Sequence, residues 1–257
     1  MTTALVVGGT GTAGSAAARA LRSRGYLVRV LSRHAPTDPA AAVGHVRGDL
    51  RTGEGLPEAL AGVEVLVSAA DGRSRKARPV FTDGARNLVR AAEAAGVRRA
   101  VLLSIVGVDR PAFAYYQALT EQERIYSASA LDVRVVRSTQ FHSFLSMIFR
   151  PAARGGLVPA FTDVSFQPIA PADVGRALAD AALSEAPGPD GPIEVGGPEV
   201  LTMRELAATW KRVTGSRARV VDVPLPGEFG RFLREGGNLT PENRYGRTTF
   251  AQWLAAG

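Results

Sequence analysis

Short apolar runs alternate with amphipathic segments from the first residues of the chain. Residues 4–7 are apolar and end in glycine, which predicts a buried strand, and residues 13–24 carry apolar side chains at helical spacing before Gly25. The same alternation predicts strands at residues 27–31, 63–67, 100–103 and 133–136 and helices at residues 81–95 and 112–129. Hydrophobic strands that alternate with helices are typical of a parallel sheet covered on both faces.

The second half of the chain has a less regular pattern. Thr202 and Glu205 have the spacing of a capping box, which predicts that a helix begins after Thr202 and runs to about residue 213. The remaining pattern predicts helices at residues 141–153, 171–183 and 248–254 and strands at residues 193–195 and 219–223. We therefore predict a single Rossmann-type, doubly wound α/β domain. Its cofactor part is expected mainly in residues 1–140, and a small C-terminal substrate-binding portion mainly in residues 141–257.

The most specific motif joins the first predicted strand to the first predicted helix. Its sequence, Gly8-Gly9-Thr10-Gly11-Thr12-Ala13-Gly14, matches Gly-x-Gly-x-x-Gly in the context that dinucleotide binding requires. The early glycines permit a tight turn and let a pyrophosphate approach the backbone, whereas Gly14 lets the helix and strand pack closely. The helix N-terminus adds free N–H groups and a positive dipole. The residues predicted to contact the cofactor here are Gly8, Thr10, Gly11, Thr12, Ala13 and Gly14.

The end of the second predicted strand bears on which dinucleotide is bound. NAD sites usually carry an acidic residue about 20 residues after the glycines, whereas this chain has Ser32 and Arg33. A carboxylate repels a 2′-phosphate, and an arginine can bind it with two hydrogen bonds. We predict NADP(H) as the cofactor, with Ser32 and Arg33 in its site. The alternative is that Arg33 is an ordinary surface residue of an arginine-rich chain.

The amino-acid composition argues against several other classes of function. The chain has 257 residues, no cysteine, three histidines and a net charge of +7. Without cysteine there are no disulfides or thiolate metal sites, and the widely spaced histidines indicate no metal site. The basic residues are scattered, so we expect no nucleic-acid partner, and Arg73–Arg78 is predicted to be a solvated loop or a segment that steers an anionic ligand. With no membrane span and no signal peptide, we expect a cytoplasmic monomer or small homo-oligomer that acts on a small-molecule substrate.

An ordered set of further motifs resembles a known family. The segments are Gly48-Asp49-Leu50, Gly84 to Val89, Ser104 to Asp109, Arg137 to His142, Gly196 to Glu199 and Trp253-Leu254. Together with the glycine loop they resemble an atypical short-chain dehydrogenase/reductase of the NmrA-like NAD(P)H-binding type over nearly the whole chain. The set is specific for the family and says little about the substrate.

This resemblance implies positions for both ligands. Asp49 and Leu50 are expected to flank the adenine, Ala69 and Ala70 to pass beside the adenosine ribose or the pyrophosphate, and Ser104 to lie near the nicotinamide. The residues expected to line the substrate cleft are Ser104, Val106, Gln140, Phe141 and His142. Such folds bind ligands outside the carboxyl ends of their strands, where these segments are expected to lie.

The catalytic residues depart from the family pattern. Many short-chain reductases use Tyr-x-x-x-Lys, in which the lysine lowers the pKa of the tyrosine, but here Leu119 follows Tyr115 at the lysine spacing. Val106 also stands where a catalytic serine is expected. A tyrosine whose pKa is about 10 stays protonated at neutral pH, so it can donate a proton but is a poor base. His142 is the second candidate acid; the alternatives are that Tyr115 is a packing aromatic and that His142 is structural or lines the cleft.

The sequence is compatible with three functions that belong to different classes. The first is an NADPH-dependent reductase of a carbonyl or quinone group that needs little acid assistance, such as an aromatic polyketide-like molecule. The second is a redox sensor of the NmrA type that binds NADP(H) without turnover, and Leu119 favours it. A cyclase or isomerase that uses the cofactor structurally is a third. The fold alone does not choose among them.

Overall fold

The chain alternates strands and helices over the residues that the computed structural model describes, which are 2–34, 44–70, 78–111, 113–186 and 191–257. The strands are β1 (Thr3–Val7), β2 (Leu27–Ser32), β3 (His45–Arg47), β4 (Val65–Ser68), β5 (Arg99–Ile105), β6 (Asp132–Ser138), β7 (Leu157–Phe161), β8 (Ser165–Phe166), β9 (Ile193–Val195), β10 (Leu201–Thr202) and β11 (Arg219–Val223). The helices are α1 (Thr12–Arg22), α2 (Leu56–Leu60), α3 (Asp83–Ala94), α4 (Ala114–Ser127), α5 (His142–Arg154), α6 (Pro171–Leu183), α7 (Met203–Thr214), α8 (Gly227–Arg234) and α9 (Phe250–Ala255), with a 3-10 turn at Arg78–Val80.

These elements form two compact units. Unit 1 comprises Met1–Ser104, Ala114–Val136 and Val174–Ile193. Unit 2 comprises Ile105–Phe113, Arg137–Asp173 and Glu194–Gly257. The chain therefore passes between the units several times, and each unit draws on residues from both halves of the sequence.

The central sheet has the strand order of a dinucleotide-binding fold. Over the described ranges it contains seven strands in the order β3-β2-β1-β4-β5-β6-β9. The pairs β2–β3, β1–β2, β1–β4 and β4–β5 are parallel. The strand order reverses direction at β1, which has β2 on one side and β4 on the other, and such a switch point is where Rossmann folds bind nucleotides. The predicted doubly wound α/β fold is confirmed.

The hydrophobic core of unit 1 covers its central strands on both faces, which is why their sequences are continuous apolar runs. Val65 to Ser68 is buried at every position, because a central parallel strand is covered on both faces. Leu5, Leu66 and Leu102 from three strands pack in one cluster with Leu88 of α3 and Tyr126 of α4. Burial of each such leucine stabilises the fold by about 1.5–3 kcal/mol. This core fixes the strand ends from which the candidate site is built.

Helix α6 holds helix α1 in place within unit 1. Gly175 packs against the backbone of Ala16, and a Cβ added at Gly175 would lie 2.4 Å from the Ala16 carbonyl carbon. Arg24, just after α1, forms an ion pair with Asp180. The far end of α6 is held by Arg99, whose Nη1 donates to Ala182 O at 2.8 Å. Because α1 begins at the glycine loop, these contacts also position that loop.

Unit 2 is organised around a fully buried glutamine. The Gln167 amide nitrogen donates to Gly197 O at 2.9 Å, and its amide oxygen accepts from Thr240 N–H at 2.9 Å. The Thr139 hydroxyl donates to the Gln167 carbonyl at 2.5 Å. A Cβ at Gly197 would lie 1.9 Å from Pro168 O, so close backbone approach explains the Gly196-Gly197 motif. Strands β7 and β11 form a parallel pair in this unit, and β8 and β10 an antiparallel pair.

The predicted elements match the structure closely, and the elements that were missed are mostly short. The helix predicted at residues 171–183 and the strand predicted at 193–195 coincide with α6 and β9, and the Thr202–Glu205 capping box begins α7. The short elements β3, β7, β8, β10, α2 and α8 were not predicted. Among the described residues no helix has the length and apolarity to cross a membrane.

Candidate functional site

The turn after β1 can be formed only by glycine at its first two positions. Gly8 has φ +73°, and a Cβ there would lie 2.6 Å from Ala69 O. A Cβ at Gly9 would lie 2.6 Å from a methyl carbon of Val30. Ala69 N–H in turn donates to Val7 O at 3.0 Å, which ties the end of β4 to the end of β1. The loop is therefore pressed against both neighbouring strands.

The other two glycines of the loop have separate structural requirements. A Cβ at Gly14 would lie 2.2 Å from Gly8 O and 2.8 Å from the Gly9 Cα, so only glycine lets α1 pack this closely on the turn. Gly11 is exposed, with φ −83° and ψ 172°, a conformation open to any residue. A Cβ at Gly11 would approach only Gly8 O, at 3.2 Å. The space outside Gly11 is thus open, as the approach of a ligand to the backbone requires.

Helix α1 presents an uncompensated N-terminus at this loop. Its first helical hydrogen bond runs from Ser15 N–H to Gly11 O at 2.9 Å, so the N–H groups of Thr12, Ala13 and Gly14 precede it. Gly11 provides no side-chain cap, and the first turn contains no acidic residue. Free N–H groups and the positive end of the helix dipole form an anion site. The described residues therefore fit a dinucleotide pyrophosphate.

The predicted adenine-flanking segment is anchored to helix α3. Asn87 donates from its amide nitrogen to Leu50 O at 2.9 Å and to Arg51 O at 3.1 Å. A Cβ at Gly84 would lie 3.1 Å from the Leu50 Cβ, so Gly84 lets this loop pack closely on α3. The Asp49 carboxylate accepts from Arg51 N–H at 2.8 Å, which stabilises the turn itself. The Gly84 and Asn87 motif positions therefore place Asp49 and Leu50.

The end of β2 carries a small hydrogen-bond network. The Ser32 hydroxyl donates to His34 O at 2.6 Å and lies 2.8 Å from His45 Nε2. Because a serine hydroxyl has one proton, His45 Nε2–H is the donor in the second contact. Ser32 thus holds the bend that carries Arg33, which is exposed. The Ser32 hydroxyl therefore donates within the protein and helps to fix the bend before Arg33.

Ser104 is tied to a residue that the sequence analysis did not name. Its hydroxyl, buried at the end of β5, donates to a carboxylate oxygen of Glu123 in α4. Glu123 lies one turn beyond Leu119 and two turns beyond Tyr115, so it is on the same side of the helix as the two positions compared with Tyr-x-x-x-Lys. This helical spacing was the only feature of the sequence that could have identified Glu123 as a candidate site residue.

Replacing Glu123 with alanine is expected to lower the free energy of unfolding by about 1–3 kcal/mol, because it leaves the buried Ser104 hydroxyl unpaired. Glu123→Gln should lose less, since the amide oxygen still accepts. Urea denaturation measures both. Glu121→Ala is the matched control: Glu121 pairs at the surface with Arg86 at 3.0 Å, and such pairs contribute about 0–1 kcal/mol. Equal losses for positions 121 and 123 would contradict this role.

Helix α4 places the candidate tyrosine beside buried neighbours. The half-buried Tyr115 ring meets Phe81 edge-on, with 5.8 Å between ring centroids, and lies 6.0 Å from the Tyr116 ring. Burial, and secondarily Tyr115, raise the pKa of Tyr116 well above its ordinary value. Leu119 is buried in the core. The position of the missing lysine is therefore an apolar interior site, which would penalise an ammonium group.

His142 is sealed inside unit 2. Its side chain has no exposed surface, its Nε2–H donates to Thr248 O at 3.0 Å, and its ring lies 5.6 Å from that of Trp253. Burial lowers the pKa of His142 to about 4, although the Thr248 hydrogen bond and the Asp173 charge act in the opposite direction. The Asp173 carboxylate also accepts from Thr248 N–H at 3.2 Å. This placement favours the structural alternative, in which His142 anchors the C-terminal segment.

The other predicted substrate-cleft residues differ in accessibility. Val106 is 2% exposed, and its N–H donates to Ser138 O at 3.0 Å. Phe141 is half-buried at the start of α5. Gln140 is also half-buried; its amide oxygen accepts from the Asn238 side chain at 3.4 Å, which leaves the Gln140 amide N–H groups to donate. Of these three, Gln140 offers the polar group best suited to a ligand.

Two predictions from the sequence can be compared with the structure only over the described residues. Residues 73–77 of the predicted basic loop lie outside the described residues. In the ranges that are described, no three His, Asp or Glu side chains come together in a way that could hold a metal ion.

Sequence comparisons match a family model to most of the chain. The model of a family described as NAD(P)H-binding matches residues 8–185. A (4-alkanoyl-5-oxo-2,5-dihydrofuran-3-yl)methyl phosphate reductase from Streptomyces griseus is 32% identical over 221 residues, 84% of this chain and 75% of that protein. Sterol demethylase protein B from Methylococcus capsulatus is 41% identical over 115 residues, 41% of this chain, and the match spans only 35% of that protein's length.

Solved structures agree with the fold over its whole length. The NADPH-dependent quinone oxidoreductase QOR2 from Escherichia coli, complexed with NADPH, has a TM-score of 0.79 and covers 99% of both chains at 20% identity. A nucleoside-diphosphate-sugar epimerase from Staphylococcus aureus has a TM-score of 0.76 and covers 99% of this chain at 19% identity. At such identities the likeness is one of fold. It extends through both units.

Proposed function

The chain belongs to the NAD(P)H-binding family, and from that premise we propose that it is an NADPH-dependent reductase of a carbonyl or quinone group. The observation that carries the proposal is the exposed N-terminus of α1, where Gly11 leaves open space in front of unpaired N–H groups. The preference for NADPH over NADH rests on Arg33 at the end of β2, where no carboxylate is present to repel a 2′-phosphate.

Each part of the cofactor has a candidate partner within unit 1. The glycine loop and the N–H groups of Thr12 and Ala13 would hold the pyrophosphate. Asp49 and Leu50, anchored by Asn87, would flank the adenine. The backbone at Ala69 and Ala70 would border the ribose or pyrophosphate, and Ser104 the nicotinamide end. Bound NADPH would supply the hydride.

The missing lysine restricts the acceptor to one that needs little acid assistance. With Leu119 in place of the lysine that lowers the tyrosine pKa in many short-chain reductases, Tyr115 is expected to donate a proton but to serve poorly as a base. Quinones and aromatic ketones bonded to their own hydroxyl groups, as in aromatic polyketides, accept hydride with little external acid. The relatives add support, since one is named for reduction of an oxo-dihydrofuran with an alkanoyl group and another for a quinone. In unit 2, the Gln140 amide is our candidate donor to a substrate oxygen.

Tyr115→Phe is expected to slow hydride transfer to such acceptors by less than about 10-fold, because an essential general acid contributes about 100-fold or more. Stopped-flow absorbance at the nicotinamide band, with a panel of quinones and hydroxylated aromatic ketones, measures the rate. Tyr116→Phe is the control, since it removes the same hydroxyl from the neighbouring, buried tyrosine. Complete loss of transfer in Tyr115→Phe alone would overturn the acid-independent mechanism.

A second candidate function is a non-catalytic redox sensor that binds NADP(H). The buried Leu119 favours it, because Leu119 stands where the activating lysine of many short-chain reductases is expected. The same panel distinguishes the two functions. Tight NADPH binding without oxidation by any acceptor supports the sensor, and multiple turnover with one acceptor supports the reductase.

A further inference from the structure

We propose that Arg47 of β3 is a second guanidinium for the 2′-phosphate of NADP(H), beside Arg33; this rests on the proposed function and names a determinant of its cofactor choice. Arg47 is not close to the glycine motif in sequence, so the sequence alone does not identify it as a cofactor residue. The pairing of β2 with β3 does identify it.

Strand register puts Arg47 on the same face of the sheet as Ser32. In the parallel β2–β3 pair, Ser32 is the Cα partner of Arg47, and Val30 is the partner of His45. Paired positions project to one face, and positions two apart share that face. The 2.8 Å contact between Ser32 and His45 Nε2 demonstrates that the side chains of this face meet.

The glycine loop lies over that same face. The Cβ position of Gly9 is 2.6 Å from a methyl carbon of Val30, which shares its face with Ser32. Val46 and Leu31, at the intervening positions, instead pack in the hydrophobic cluster on the opposite face. Val30, Ser32 and Arg47 thus form a surface that leads from the glycine loop to the carboxyl ends of β2 and β3, where an adenosine ribose is bound in such folds.

The charges at this edge favour a dianion. Arg33 and Arg47 are both exposed, and neither forms an ion pair within the described part of the chain. The nearby Asp49 carboxylate accepts from Arg51 N–H and keeps its negative charge, but the two arginines outweigh it. Each guanidinium group can donate two hydrogen bonds to the 2′-phosphate of NADP(H). NAD(H) has a hydroxyl in its place, which does not require such paired donors. Arg47 should therefore discriminate NADP from NAD.

Isothermal titration calorimetry with NADP⁺ and NAD⁺ tests this assignment. Arg47→Gln should weaken NADP⁺ binding by about 10- to 100-fold, the effect of losing hydrogen bonds to a charged group. NAD⁺ binding should change by less than about 2-fold, and Arg47→Lys should retain part of the NADP⁺ preference. Arg98→Gln is the matched control, because Arg98 is exposed and lies just before β5, four positions from β3 in the strand order and at the amino end of its strand.

The outcomes separate this inference from the proposed function. Unchanged NADP⁺ affinity in Arg47→Gln, or an equal loss for NADP⁺ and NAD⁺, overturns the role of Arg47 while wild-type binding leaves the proposed function intact. If the folded wild-type protein binds neither dinucleotide, the proposed function fails. Weakening of NADP⁺ binding to the same extent by Arg98→Gln would show a general effect of net charge and would also overturn the assignment.

Discussion

Replacing Gly11 with valine is expected to weaken NADP⁺ binding by at least about 100-fold, because the side chain would displace two or more charge-assisted hydrogen bonds to the pyrophosphate. The fold should survive with a small local shift, since the backbone at Gly11 has φ −83° and its Cβ position has one tight contact, with Gly8 O at 3.2 Å. Calorimetry measures the affinity, and a thermal unfolding midpoint within a few degrees of wild type establishes that the protein is folded.

Gly14→Ala provides the contrast that makes this result informative. Its methyl carbon would lie 2.2 Å from Gly8 O, a backbone atom that cannot move without displacing the turn. Overpacking of this kind costs about 1–3 kcal/mol, so this variant should lose stability as well as affinity. Gly155→Ala is the control, because its nearest neighbour would be at 3.4 Å. If Gly11→Val destabilises the protein as much as Gly14→Ala, the assignment of Gly11 to the ligand is wrong.

Local sequence patterns were sufficient for the fold because the decisive signals are local. A buried strand, a glycine turn and an amphipathic helix succeed one another within residues 3–22, and each is specified by its own neighbours. Repetition of that pattern implies the parallel order of strands. The prediction of an NAD(P)H-binding family member is confirmed by the match over residues 8–185.

Contacts between distant segments could not be predicted in the same way. The role of Arg47 depends on the register of β3, a three-residue strand too short to show a period. The role of Glu123 depends on its hydrogen bond with Ser104, which is 19 residues away in sequence. Gln167, which links Gly197 and Thr240 in unit 2, has no motif at all. Such residues are specified by tertiary packing, so a single sequence contains little information about them.

His142 shows that the neighbours of a residue in sequence do not decide between a catalytic and a structural role. The motif Gln140-Phe141-His142 follows a strand and gives the histidine the setting of a ligand-binding residue. Its hydrogen-bond partner is Thr248, 106 residues further on, and this contact changes the chemical interpretation. A buried, neutral imidazole that donates to a carbonyl is suited to holding the C-terminal segment, and this makes a prediction about stability rather than catalysis.

The free energy of unfolding is expected to fall as the pH decreases from about 6.5 to about 4. In the folded chain, burial lowers the pKa of His142 to about 4, whereas in the unfolded chain it returns to its ordinary value of 6.5. Between these values the unfolded state binds a proton that the folded state does not, so stability is complete above pH 6.5 and is lost on acidification. Over the full interval this group removes about 3 kcal/mol.

Urea denaturation between pH 4.5 and 7.5 measures this dependence, and His142→Gln should remove most of it. The glutamine amide can still donate to Thr248 O but does not titrate, so the variant should be less stable than wild type at pH 7.5 and approach it at pH 4.5. His34→Gln, at an exposed position, should leave the slope unchanged. If His142→Gln keeps the wild-type slope while removing a limb from the pH profile of hydride transfer, His142 is an exposed catalytic acid and its assignment as a buried anchor is wrong.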